Sequence, residues 1–192
     1  MPAKNAFYRQ GFTIKPAWRR YWGMEKTIYL AAGCFWGAQH YLKQIRGIIE
    51  TETGFANGKT TDPVTYEEVY TDRTGYAEAV RVVFDPEVLP LRKLIQLYFM
   101  SIEPTSVNQQ GEDRGTRYRT GIYYIDPDDV GTIMDVCREV QRDYSMPLAV
   151  EVEPIEVFHP ADEYHQDYLA KHPDGYCHLP QALFEYARKA NA

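Results

Sequence analysis

Residues 26–45 read KTIYLAAGCFWGAQHYLKQI, and the hydrophobic period changes at Gly33-Cys34. Lys26 to Ala32 reads as a buried strand. After the Gly33-Cys34 turn, Phe35, Ala38, Leu42 and Ile45 fall at helical spacing, which predicts a helix from Phe35 to Ile45. Beyond it, Ile48 to Phe55 reads as a second strand and residues 54–65 (GFANGKTTDPVT) as a loop full of turn formers. Ala77 to Phe84 (AEAVRVVF) alternates as a strand does and stops at Asp85-Pro86. Leu91, Leu94, Ile95, Tyr98 and Phe99 mark a helix, residues 101–119 a polar loop, and Thr120 to Ile125 a strand. Asp126-Pro127 opens a helix over Asp128 to Tyr144, with Pro where helix starts allow it. Leu148 to Glu153 is a last strand and Glu163 to Lys171 a last helix. From His172 onward Pro173, Gly175 and Pro180 make the tail mostly loop. Strand, helix, strand, strand, helix, strand is the order of a split βαβ unit. The expected fold class is therefore α+β, a ferredoxin-like sandwich with a mixed sheet and a long, loop-rich C-terminal tail.

The 192 residues suit one domain rather than two. Residues 1–23 carry five basic residues, no acidic one and no apolar run of a secretory signal. They read as a dispensable extension, leaving 24–192 as a single domain. Lys plus Arg number 21 against 27 Asp plus Glu, a formal charge of -6, which argues against nucleic acid as partner. No apolar stretch approaches the roughly 18 residues of a membrane span. Three scattered cysteines, Cys34, Cys137 and Cys177, form no disulfide framework and no metal-finger spacing. That usage points to a reducing, cytoplasmic setting with one or two thiols doing chemistry, and Cys137, midway along a helix, reads as a buried bystander.

Gly33-Cys34-Phe35-Trp36-Gly37 places a thiol where a strand hands over to a helix. Free N–H groups and the positive end of the helix dipole there stabilise thiolate, so the expectation is a thiol pKa lowered toward neutrality. Thiolate is the nucleophile. Gly33 permits an unusual backbone angle and Gly37 leaves space beside the sulfur. The plain alternative is a small buried residue at a strand end. Phe35 and Trp36 suit either the core or the walls of an apolar pocket beside the sulfur.

This pentapeptide resembles the signature of the type A peptide methionine sulfoxide reductases. The likeness runs from about residue 26 to about residue 179. It includes Thr65-Tyr66-Glu67-Glu68-Val69, residues 75–80 (GYAEAV), residues 111–119 (GEDRGTRYR) and residues 174–178 (DGYCH). The resemblance implies an oxidoreductase of methionine S-sulfoxide, free or in proteins, serving repair under oxidative stress. It implies Cys34 as nucleophile passing through a sulfenic acid, and Cys177 as the resolving thiol. Glu78 becomes the acid and Tyr66 and Tyr118 donors to the sulfoxide oxygen. Asp113 holds a water or polar group at the pocket mouth, with Phe35 and Trp36 against the substrate. It also implies reducing equivalents from thioredoxin, no metal or organic cofactor, and a monomer with no nucleic-acid or membrane partner. An ordinary Glu is ionised at pH 7, so the acid role needs burial. Alternation in AEAVRVVF puts Glu78 on one face with Val80, Val82 and Phe84. Two positions depart from the family pattern: Tyr76 stands where many relatives have His, and Gln39 where Glu is common.

Three other readings remain open at this stage. A Cys–His hydrolase would pair Cys34 with His40, His159 or His165. A metal site could draw on His159, His165, His172, Cys177 and His178, although the spacing fits no ligand pattern. A binding module built on exposed aromatics would leave the thiol turn and the strand Glu unexplained.

Overall fold

AEAVRVVF is buried along both faces, and the reason is its place in the sheet. The structure is a computed structural model that describes residues 25–190; the expectation for residues 1–23 lies outside these residues. In chain order the elements are β1 (Lys26–Ala32), α1 (Phe35–Leu42), β2 (Ile48–Ala56), α2 (Tyr66–Tyr70), β3 (Ala77–Phe84) and α3 (Leu91–Phe99). There follow β4 (Gln109–Gln110), β5 (Asp113–Arg114), β6 (Thr120–Tyr124), α4 (Val130–Gln141), β7 (Glu151–Pro154), β8 (Phe158–Pro160), α5 (Tyr168–Lys171) and α6 (Gln181–Lys189). Six strands form one sheet in the order β7-β6-β1-β3-β2-β8. The middle four, β6-β1-β3-β2, are antiparallel neighbours in the ferredoxin-like order, and the parallel β6–β7 pair makes the sheet mixed.

Val80, Val82 and Phe84 of β3 share the main core with residues of α1 and α3. Ala77 and Ala79 meet Ala31, Ala56 and Tyr123 on the opposite face. Part of the tyrosine content is core: Tyr41, Tyr76, Tyr98 and Tyr123 are fully buried. Their polar tips find partners, as burial requires. Tyr41 donates to the Leu97 carbonyl at 2.8 Å and Tyr98 to the Ala31 carbonyl at 2.8 Å.

Several boundaries differ from the sequence reading. The predicted strand at Leu148 begins only at Glu151, because the Leu148 and Ala149 N–H groups donate to Gln141 and to the Pro104 carbonyl instead of a ladder. The helix predicted from Glu163 is regular only over α5: residues 163–167 are turns, and Asp167 holds a left-handed φ of 53°. The helix predicted from Asp128 to Tyr144 has a 3-10 turn at Pro127–Asp129 and ends at Gln141. The tail is loop over residues 172–180, but α6 follows, where Pro180 starts a helix rather than breaking one. Phe184 and Ala187 anchor it in the core. The short α2 was also missed; Thr65 and Glu68 form a reciprocal capping box at its start.

Candidate functional site

Gly33 turns the chain with φ +77°, and a Cβ there would lie 2.6 Å from the Gln110 Cβ, so glycine is required. Cys34 follows as the N-cap of α1 and is 6% exposed. Glu78, 1% exposed, accepts the Phe35 N–H at 3.0 Å. A carboxyl on the central strand thus seats on the head of the helix that Cys34 opens. Its cross-strand partner is Phe55, whose ring lies 5.7 Å from that of Phe35. This apolar setting pushes the Glu78 pKa from 4.5 up to about 8, against the pull of the Phe35 N–H and the Arg117 charge.

The lowered thiol pKa expected for Cys34 is not what the structure gives. Burial pushes the thiol well up and negative charge on Glu78 pushes it further, while the Trp36 and Gly37 N–H groups pull it down and lose. The helix end acts as expected, but desolvation outweighs it.

Tyr66 opens α2, and its pKa is pushed up to about 12 by burial, then by Glu78 and Cys34. Tyr118 is raised by burial and by Glu78. Both phenols are therefore protonated donors that feel the same thiol and carboxyl. Arg117 was not singled out from the sequence. Its guanidinium lies 4.1 Å above the Tyr70 ring and 4.4 Å above the Tyr118 ring and pairs with Asp72 at 2.9 Å. It organises this side of the site and supplies positive charge toward Glu78.

Phe35 is buried and Trp36 partly so. Trp36 stacks on Tyr168 with centroids 3.7 Å apart, and its indole N–H donates to His165 Nδ1 at 3.2 Å. His165 stacks in turn on Tyr66 at 4.4 Å. His165 and Tyr168 thus complete the aromatic wall. The sequence weighed His165 as a hydrolase base or a metal ligand, and no periodic pattern marks turn residues that pack on a distant helix.

Gln39 and Tyr76, the two departures, have structural explanations. Gln39 donates to the Thr51 carbonyl and hydroxyl at 3.4 and 3.3 Å and accepts the Asp167 N–H at 2.7 Å, pinning the segment that carries His165 and Tyr168. A carboxylate could accept from the Thr51 hydroxyl and the Asp167 N–H but has no donor for the Thr51 carbonyl. Tyr76 packs on Gly58, where a Cβ would lie 2.2 Å from its ring, and donates to the Thr60 carbonyl. It fastens the loop that leads to Tyr66.

The C-terminal segment lies across the first turn of α1. A Cβ on Gly37 would stand 3.2 Å from Cys177 Sγ, so glycine there makes room for the second thiol. Cys177 is half-buried and also borders a cleft of about 350 Å³ with Pro173, Leu179, Phe184 and Arg188. Asp113 on β5 faces His178, with Oδ2 4.0 Å from Nδ1. Tyr176 also neighbours Asp113, whose charge, after burial, helps push its pKa to about 12. Cys137 sits on α4 in a cleft with Met134, Leu148 and Val152 and joins none of these groups. Among the described residues no group of three or more His, Cys, Asp or Glu stands where it could hold a metal.

The family model described as peptide methionine sulfoxide reductase matches residues 26–191. The chain is 51% identical over 167 residues to a peptide methionine sulfoxide reductase MsrA of Lachnoclostridium phytofermentans, covering 87% of this chain and 100% of that protein. Its fold is similar to that of reduced Mxr1 from Saccharomyces cerevisiae, with a TM-score of 0.76, 36% identity, and 80% and 88% of the two chains covered. It is also similar to Mxr1 in complex with Trx2, at TM-score 0.54 and 26% identity over 75% of this chain and 84% of that one.

Proposed function

The chain belongs to the peptide methionine sulfoxide reductase family, and from that membership we propose how its residues divide the work. It reduces methionine sulfoxide to methionine, with thioredoxin as reductant. The epimer taken, free or in proteins, is S, carried over from the type A members the chain resembles, one enzyme serving each epimer. The observation that carries the residue assignment is the buried Glu78 carboxyl on the Phe35 N–H, at the head of the helix that Cys34 opens.

The substrate's methyl group packs against Phe35 and Trp36, with its oxygen toward Tyr66, Tyr118 and Glu78. Cys34 sulfur attacks the sulfoxide as Glu78 gives its proton to the oxygen, and the thiol proton passes to the Glu78 carboxylate. Oxygen leaves on Cys34 as sulfenic acid, methionine departs, and Glu78 ends the step protonated. Tyr66 and Tyr118 hold the charge that grows on the oxygen. Cys177 then attacks the sulfenic sulfur, giving a Cys34–Cys177 disulfide and water, and thioredoxin reduces that disulfide.

None of these steps calls on a metal or an organic cofactor. No helix among the described residues is long and apolar enough to cross a membrane. We place the enzyme in the cytoplasm, as a monomer with no nucleic-acid partner. Residues 1–23 are dispensable in this reading, so their deletion leaves activity intact. The test is incubation of both epimers of a blocked methionine sulfoxide with dithiothreitol, resolved by chromatography. Loss of the S epimer alone supports the proposal, and loss of neither refutes it.

A further inference from the structure

The His178 side chain is 3% exposed, yet neither of its ring nitrogens makes a well-formed hydrogen bond, Ala32 offering the one backbone contact. Asp113 Oδ2, 4.0 Å from its Nδ1, is also buried and unpartnered. Buried polar atoms are normally well paired, so three such poorly satisfied atoms in one place call for an explanation. The ring lies over the start of α1. Its Nε2 is 3.5 Å from where a Gly33 Cβ would be, and its Nδ1 is 3.2 Å from where a Gly37 Cβ would be. Cys177 Sγ lies 3.2 Å from that same Gly37 point. Nε2 is the nitrogen on the Ala32–Gly33 side, and the ring interacts with the Ala32 backbone. A ring proton on Nε2, toward that backbone, leaves the basic lone pair on Nδ1, on the side shared with the thiol and Asp113.

We propose that His178 is the general base of the resolving step, taking the Cys177 thiol proton at Nδ1 while Asp113 balances the imidazolium. The proposal rests on the reductase reading above. In the step, Cys177 S–H gives its proton to Nδ1 and the thiolate attacks Cys34 sulfur. The S–S bond forms as the S–O bond breaks. The departing hydroxide recovers the proton and leaves as water, so Cys177 is oxidised and the sulfenic sulfur reduced. The protonation states suit these roles. Burial lowers the His178 pKa and keeps the ring a neutral base, while burial raises the Cys177 thiol, which does not ionise unaided. The titratable groups around the ring are Asp113 from β5, Cys34 at the head of α1, and Cys177 and Tyr176 of its own segment.

The test is rapid-quench kinetics on the full chain with one equivalent of methionine S-sulfoxide and no reductant, in wild type, His178→Asn and His178→Gln. Methionine release reports the first step, and loss of dimedone-reactive sulfenic acid reports the second. In both variants sulfenic acid should persist on the order of 100-fold longer while methionine release stays within a few-fold of wild type. Unchanged sulfenic lifetimes, or both steps slowed alike, would overturn the proposal. Wild type alone gives an independent check if the variants do not fold. Its sulfenic decay should level off below pH 7, and a rate still rising tenfold per pH unit through pH 8 would overturn the assignment. If wild type released no methionine, the reductase reading itself would fail first.

Discussion

Replacing Glu78 with Gln should raise stability at high pH while removing activity, and the size of the effect follows from the site. The carboxyl titrates near 4.5 when free and near 8 when folded. The folded state therefore holds this proton over a window in which the unfolded chain gives it up. The stability contribution is full below pH 4.5, falls through the window and levels off above pH 8. At about 1.4 kcal/mol per unit, the whole window is worth about 5 kcal/mol. Roughly 3 to 4 kcal/mol of it lies between pH 5 and pH 8. Glutamine keeps the shape and an oxygen for the Phe35 N–H but does not titrate. Any cost of its unpaired amide is the same at both pH values and cancels in the difference. Urea unfolding of both proteins at pH 5 and pH 8, followed by tryptophan fluorescence, gives the comparison. Wild type should lose roughly 3 to 4 kcal/mol more than Glu78→Gln across that interval. Parallel stability profiles would mean that burial does not hold the proton on Glu78. The same variant should lose at least about 100-fold in kcat/KM, and near-normal turnover would remove Glu78 as the acid.

Tyr66→Phe and Tyr118→Phe should each lower kcat by about 100-fold with little change in KM; full kcat in either variant removes that hydroxyl from the site. Gly37→Ala places a methyl 3.2 Å from Cys177 Sγ and the His178 ring. It should slow disulfide formation several-fold in thiol titrations during a single turnover, and an unchanged rate would mean that the tail yields freely. Gln39→Glu strands the Thr51 carbonyl and should cost about 1 to 3 kcal/mol in urea unfolding. No change in stability would show that the pinning of Asp167 alone matters.

The hydrophobic periods of residues 26–45 and of AEAVRVVF made the central strands and α1 legible, because those segments bury a face whose spacing survives in the sequence. Segments held by single polar contacts were not legible. Residues 163–167 look helical but are set by the left-handed Asp167, which answers to Gln39 from another element. Arg117 reads as one charge among several in GEDRGTRYR, and only folding lays it over Tyr70 and Tyr118. The position of Cys34 was readable but its proton affinity was not. The helix end is written next to the cysteine, whereas the burial that overrides it, and the added charge of Glu78 from β3, arise only on folding.

That reversal bears on how the site works. A thiol with a lowered pKa beside an ionised Glu would be nucleophilic at rest but would have no proton for the sulfoxide oxygen. In the observed packing both groups favour their protonated forms, since each is desolvated and negative charge on Glu78 raises the Cys34 thiol further. In the proposed mechanism nucleophile and acid are then present in the same resting molecule, and the thiol need ionise only as its proton is exchanged through Glu78 for the one given to the oxygen. The preorganised phenols of Tyr66 and Tyr118 reward that event only when a sulfoxide oxygen is there to receive their hydrogen bonds. The proposed mechanism thus ties thiolate character to the presence of substrate, with the stability lost by burying Glu78 as the energetic counterpart of that coupling.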